Sequence, residues 1–169
     1  MKYSVMVEYA LHSLVYLIDV PPEESIGIKD LSEFQGLSET YLSKVLGKLS
    51  KAGIVSSVSG VKGGYKLSKK PEDISFWDVV KAVEGESPIF QCKNIKANFA
   101  NQTENCDSCA SGASGTSNCT INIVMLEAEE QMRNYLRGKT IAWLEEELNR
   151  TLPSERIAMA KEFFHKKNN

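Results

Sequence analysis

Apolar residues recur at helical spacing along the opening stretch, at Val7, Ala10, Leu11, Leu14, Val15 and Ile18. That period predicts a helix from about Tyr3 to Ile18 with one face on a core. Pro21-Pro22 then stops it. A second amphipathic stretch spans about Ile28 to Phe34, with Leu31 and Phe34 inward, and Gly36 marks a sharp turn. Ser38 is a good N-cap for a third helix from Glu39 to about Lys51. Its stripe is Leu42, Val45, Leu46 and Leu49, and Gly53 suits a left-handed C-terminal cap.

The period then changes from helical to alternating. "IVSSV" (Ile54 to Val58) and the segment opening with "YKL" read as two strands, joined by the glycine-rich tip "SGVKGG". "DISFWDVVKAVEG" returns to helix, with Phe76, Val79, Val80 and Val83 inward and Trp77 also read as core. Residues 86–118 show neither period. From Thr120 a long helix begins, with its seam at Ile121, Val124, Met125, Ala128, Met132, Tyr135 and Leu136. Gly138 breaks it, and a continuation carries Trp143, read as core, and Leu148. Pro153-Ser154 opens a last short helix.

The fold class expected is mainly α with a small β-hairpin wing, a winged helix-turn-helix plus a long helix. Four segments follow: a winged helix-turn-helix domain over 1–85, a cysteine-bearing loop over 86–119, a long helix over 120–150, and a C-terminal helix and tail over 151–169. Glu8, His12 and Asp19 interrupt the first apolar run. They argue against a membrane span, which needs about 20 apolar positions. No small-residue cleavage site follows, so the expectation is a cytoplasmic protein with no membrane partner.

Charge sharpens the picture. The chain of 169 residues has a net charge of −2. Residues 38–70 hold seven lysines against Glu39 alone, so this segment carries +6 and the remainder −8. A basic face on an acidic body suits duplex DNA. Glu39, Thr40, Ser43, Lys44, Gly47 and Lys48 point away from the apolar stripe of the third helix. Short polar side chains near such an N-terminus suit base edges in the major groove. Ser38 and Tyr41 join that candidate surface. On the wing, Ser59 and Lys62 are candidates, with Gly63 and Gly64 letting backbone approach DNA closely. The bland alternative is a solvated lysine-rich face. "GVKGGY" lacks the Gly-Lys-Ser/Thr ending of a phosphate loop.

All four cysteines, Cys92, Cys106, Cys109 and Cys119, lie in the aperiodic stretch, three of them within "CDSCASGASGTSNC". Stable disulfides are rare in cytosolic proteins, so clustered thiols there suggest metal or redox chemistry. Cys-x-x-Cys is a common zinc half-site. The same pair can act as a reversible thiol switch. His12 and His165 are too scattered to build a catalytic site, and no serine-histidine-acid set stands out, so an enzyme is not expected. A thioredoxin-type catalyst would want its cysteine pair at a strand-to-helix junction, not in a long loop.

From Ile26 to Gly85 the chain resembles the IscR/NsrR (Rrf-two) family of bacterial winged-helix transcription regulators. The features that carry the resemblance are "SETYLSKVLGKLSKAGIV", "GGYKL", "PEDIS" and "VVKAVEG". "MKYSVMVEYALHSLVYLI" looks like the family's first helix, and with the long helix the likeness extends over roughly Met1 to Leu148. The resemblance implies a homodimer on a palindromic double-stranded DNA operator, with 1–85 as the DNA-binding domain, 86–119 as a sensor loop and 120–150 as the dimerisation helix. It also implies an iron–sulfur cluster held by three cysteines. Cys92 resembles the first ligand, Cys119 the last, and Cys106 or Cys109 the middle one. Whether the cluster is 2Fe-2S or 4Fe-4S stays open. Glu8 stands where some relatives use an acidic ligand from the partner subunit, and four-cysteine ligation is the alternative. Two departures stand out. Ser59 replaces a common wing arginine, and the cysteine loop is longer than usual. Zinc, a thiol switch without a cluster, and control by a metabolite or partner protein remain alternative readings.

Overall fold

The computed structural model describes residues 3–60, 63–91 and 120–168, with side chains through Phe164. All four cysteines and Lys62 lie outside the described residues, as does the side chain of His165. Seven helices and one hairpin occur among them: α1 (Val5–Tyr16), α2 (Ile28–Gln35), α3 (Glu39–Lys51), β1 (Val55–Val58), β2 (Gly64–Leu67), α4 (Phe76–Glu84), α5 (Thr120–Arg137), α6 (Ile141–Thr151) and α7 (Ser154–Asn168). A 3-10 turn, Pro71–Asp73, leads into α4. Two compact units result, one of Met1–Glu86 with Leu136–Asn169 and one of Ser87–Tyr135.

In the first unit, α1, α3 and α4 pack on one another, and α2 packs on α3. Leu42, Val45, Leu46 and Leu49 of α3 are wholly buried, as the sequence period predicts. Burying a side chain of this size stabilises the fold by roughly 1.5–3 kcal/mol. The seam of α1 differs from expectation. It runs through Val7, Ala10, Leu14 and Leu17, while Leu11, Val15 and Ile18 are only half-buried. Spacings of three, four and three keep that seam narrow, so Leu11 and Val15 lie at its edge. Ser13 is buried beside it, its Oγ donating to the Tyr9 carbonyl at 2.7 Å and accepting from Gln35 Nε2 at 3.0 Å.

β1 and β2 pair antiparallel, with Val55 opposite Leu67 and Val58 opposite Gly64. Ile26 forms a bridge on the other edge of β2. Its N–H donates to the Tyr65 carbonyl at 3.0 Å, and the Tyr65 N–H donates back to the Ile26 carbonyl at 2.9 Å. The wing is thereby stitched to the segment that starts α2.

α4 opens with a reciprocal cap. The Ser75 side chain accepts from the Asp78 N–H, and the Asp78 carboxylate accepts from the Ser75 N–H and hydroxyl. Trp77 is buried with Val79, Val80 and Val83, and Phe76 is half-buried. After Gly138 the chain docks beside α4. The Phe76 N–H donates to the Lys139 carbonyl at 2.8 Å, and the Ile141 N–H donates to the Ile74 carbonyl at 2.9 Å. Ile141 takes the core position of α6. Trp143, two residues and about 200° further round the helix, is therefore exposed rather than core. Lys139 Nζ lies 3.9 Å from its ring centroid, and Phe76 meets it edge-on. α7 returns to α1 and α2 through rings: Phe163 and Phe164 each lie 5.0 Å from Phe34, which itself stands 5.0 Å from Tyr16.

In the second unit, α5 exposes Ile121, Val124 and Tyr135, 66%, 56% and 68% accessible. Its buried residue is Glu129, whose carboxylate accepts from the Ile89 N–H at 3.0 Å and from Arg133. Among the described residues, no helix is long and apolar enough to cross a membrane.

Candidate nucleic-acid interface

The α2–α3 turn needs three residues. Gly36 takes φ 65°, which a Cβ would strain, and lets the Leu37 N–H reach the Ser32 carbonyl at 2.9 Å. Ser38 then caps α3, its Oγ accepting from the Tyr41 N–H at 3.2 Å. This is a helix-turn-helix with α3 in the recognition position. The positive end of its macrodipole lies beside Ser38, Glu39 and Thr40, all exposed.

The structure sorts the candidate residues by what holds them. Ser43 and Lys44 are exposed on the next turn of α3, and Ser59 is exposed at the end of β1. Tyr41 is half-buried, edge-on to Tyr9 at 5.7 Å between centroids, so α1 fixes its ring. Lys48 is exposed overall, but its ammonium donates to the Val83 carbonyl at the end of α4. Next to it, the Glu84 carboxylate accepts from the Ser4 hydroxyl at 2.5 Å and the Ser4 N–H at 2.9 Å. Those hydrogen bonds, helped by the Lys48 charge, hold Glu84 below the usual carboxylate range. Lys48 thus joins α3 to the tie between α4 and α1. Lys66 does similar work on the wing, its ammonium donating to the Pro22 carbonyl at 2.6 Å.

Gly63 and Gly64 have a demand of their own within the hairpin. A Cβ on Gly64 would stand 2.3 Å from the Ile26 carbonyl oxygen, and one on Gly63 would stand 2.4 Å from that of Val58. Both glycines let backbone meet backbone inside the wing. The bridge that Ile26 adds to the wing leaves little signal in the sequence. Its only local signal is the β-branched alternation of Ile26 and Ile28 around Gly27.

Glu8 is exposed on α1. Among the described residues, no three His, Cys, Asp or Glu side chains gather as a metal site. The donor chemistry of the chain nevertheless fits an iron–sulfur cluster, since four thiols supply soft ligands within 28 residues, with Glu8 as an accessible oxygen donor.

A family model described as Rrf2, an iron-dependent transcriptional regulator, matches residues 3–147. The chain belongs to the Rrf2 family. The NsrR transcriptional regulator of Geobacillus kaustophilus is 30% identical over 147 residues, covering 87% of this chain and 91% of that protein. Staphylococcus aureus CymR in its oxidized form superimposes with a TM-score of 0.61 at 27% identity, over 86% of this chain and 97% of that one. T. potens IscR shares the fold with a TM-score of 0.62 at 22% identity, over 91% and 93% of the two chains. This Rrf2 protein is a transcriptional regulator with a mostly helical winged helix-turn-helix fold, as expected from its sequence. The family match ends before α7, so the helix carrying Phe163 and Phe164 lies beyond it.

Proposed function

We propose that this Rrf2 protein is a homodimeric operator-binding regulator whose DNA affinity is set by a cluster on its clustered cysteines. The observation that carries the DNA half is the capped, exposed N-terminal turn of α3 on the +6 segment. Ser38, Glu39, Thr40, Ser43 and Lys44 face base edges and phosphates in the major groove, with Tyr41 as a braced neighbour. Ser59 and Lys62 reach the flanking backbone from the wing, and Gly63 and Gly64 keep that wing thin. Lys48 works mainly by holding α3 against α4.

Cys92, Cys119 and one or both of Cys106 and Cys109 would hold the cluster, with Glu8 of the partner subunit as the candidate oxygen ligand. When bound, the cluster supplies an oxidant- and nitric-oxide-sensitive centre. The chain's own part is to join that centre to the dimer helix. Cys119 directly precedes α5. Glu129 of α5 holds the Ile89 N–H, three residues before Cys92. Both ends of the cysteine segment are thus tethered to one helix. A change of a few kcal/mol between two arrangements of that helix pair is enough to switch binding.

Protein isolated without oxygen is expected to absorb in the visible and to contain iron and sulfide. Its affinity for duplexes from its own promoter is expected to change when the cluster is removed. Equal affinities in both states would defeat the coupling, and no affinity in either state would defeat the DNA reading. A second reading, a Cys106–Cys109 thiol switch, is favoured by the likeness to CymR in an oxidized form. It predicts colourless protein whose operator binding responds reversibly to thiol reductant.

A further inference from the structure

α1, the connection at 19–26, α6 and α7 wall a cavity of about 950 Å³ within the first compact unit. Its volume is in the range of small-molecule sites. α7, which supplies one wall, lies beyond the family match. Tyr16, Phe34, Phe163 and Phe164 present a cluster of rings to it. Met159, flexible and 67% accessible, stands on the same lining. Thioether side chains of this kind adapt to ligands of varied shape.

Charge on the lining is biased. Asp19, Glu24, Glu145 and Glu162 stand against Lys161 and Arg156. Asp19 and Lys161 meet at 2.9 Å and largely satisfy each other. Burial and the nearby Asp19 carboxylate push Glu145 above its ordinary range. Lys161 opposes them only in part, and a cation placed beside Glu145 would offset the remaining repulsion between the carboxylates. Ring faces are themselves electronegative and attract cations. The cavity therefore offers apolar bulk with negative potential.

We propose that this cavity binds a hydrophobic organic cation, an aromatic or multi-ring body carrying one positive charge. The ligand lies against the packed ring cluster of Phe34, Phe163 and Phe164, with its charge toward Glu145. It also touches the DNA-reading frame, since Phe34 belongs to α2 and Ile26 bridges to the wing.

Calorimetric titration of the full chain without DNA tests it, so the outcome does not depend on operator binding. The probes are tetraphenylphosphonium and tetraphenylborate, which share shape and oppose in charge. Tetraphenylphosphonium is expected to saturate at one per chain and to bind at least about tenfold more tightly than tetraphenylborate. Glu145→Gln is expected to weaken the cation by about tenfold while leaving the anion unweakened. Ala160→Trp, which fills the cavity from α7, is expected to abolish binding, with circular dichroism confirming the fold. Absence of saturable binding, equal affinity for the two probes, or full binding by folded Ala160→Trp each overturns the proposal. If Ala160→Trp does not fold, an unchanged cation affinity in Glu145→Gln overturns it alone.

Discussion

A methyl group at position 64 has nowhere to go. Its nearest neighbours would be the Ile26 carbonyl oxygen and carbon and the Gly27 nitrogen, all backbone and all within 2.8 Å. Gly64→Ala must therefore push β2 off the Ile26 bridge, at a cost of about 1–3 kcal/mol by analogy with overpacked sites. Gly47 on α3 has nothing within 4 Å of the corresponding point. There the same change only improves helix propensity and raises stability by about 1 kcal/mol. Urea denaturation of the two variants is expected to give shifts of opposite sign. Two shifts of the same sign would show that the wing is not held by backbone contact. Glu84 gives a prediction in pH. Its carboxylate is lowered by Ser4 and more weakly by Lys48, so it favours the folded state once ionised. That contribution is present above the ordinary glutamate range and is lost as pH falls through the lowered value. Being largely exposed, the site contributes only a few tenths of a kcal/mol. Glu84→Gln is expected to be slightly less stable near neutrality and equal to the parent once the pH has fallen below the lowered value. A gap that widens in acid would reverse the assigned sign.

At the scale of elements, α5 makes the plainest demand. A helix that leaves Ile121, Val124 and Tyr135 in water along one chain is expected to bury them against a copy of itself. Val124→Glu places a charge in that seam and is expected to halve the mass seen by light scattering, with helix content unchanged. A parent protein that already runs as a monomer would remove the dimer from the mechanism. The elements legible in the sequence were those governed by their own residues. α3 is bounded as read, because Ser38 and Gly53 are local signals and the stripe between them is clean. The break at Gly138 was equally local. What escaped depends on distant partners. Ile26 bridges to the wing only because Tyr65 arrives beside it, and the Ile74–Ile141 stitch turns Trp143 outward. At the candidate interface, Lys44 and Lys48 look alike on the helix surface. Only the fold brings the Val83 carbonyl to one of them.

The whole molecule separates its charges, with +6 on residues 38–70 and −8 elsewhere. That asymmetry predicts how DNA binding responds to salt. Each phosphate neutralised releases condensed counterions, so the logarithm of the affinity falls by about 0.9 per logarithm of salt for each contact. Lys48 and Lys66 are tethered to backbone carbonyls and have less reach for phosphate. A dimer that uses about three of the remaining lysines per protomer, Lys44 among them, would give a slope of about −5. Lys44→Gln, present in both protomers, is expected to shallow that slope by about 2 while leaving thermal stability unchanged. Lys48→Gln is expected to do the reverse, lowering stability with little effect on the slope. Fluorescence anisotropy across a salt series measures both variants on one duplex. If Lys48 rather than Lys44 carries the salt dependence, its bond to Val83 yields to DNA, and the α3–α4 tie must be redrawn as part of the binding surface. If neither does, the slope has to come from the other lysines of the segment, and a slope near zero in the parent would mean that the lysine-rich face is only solvated.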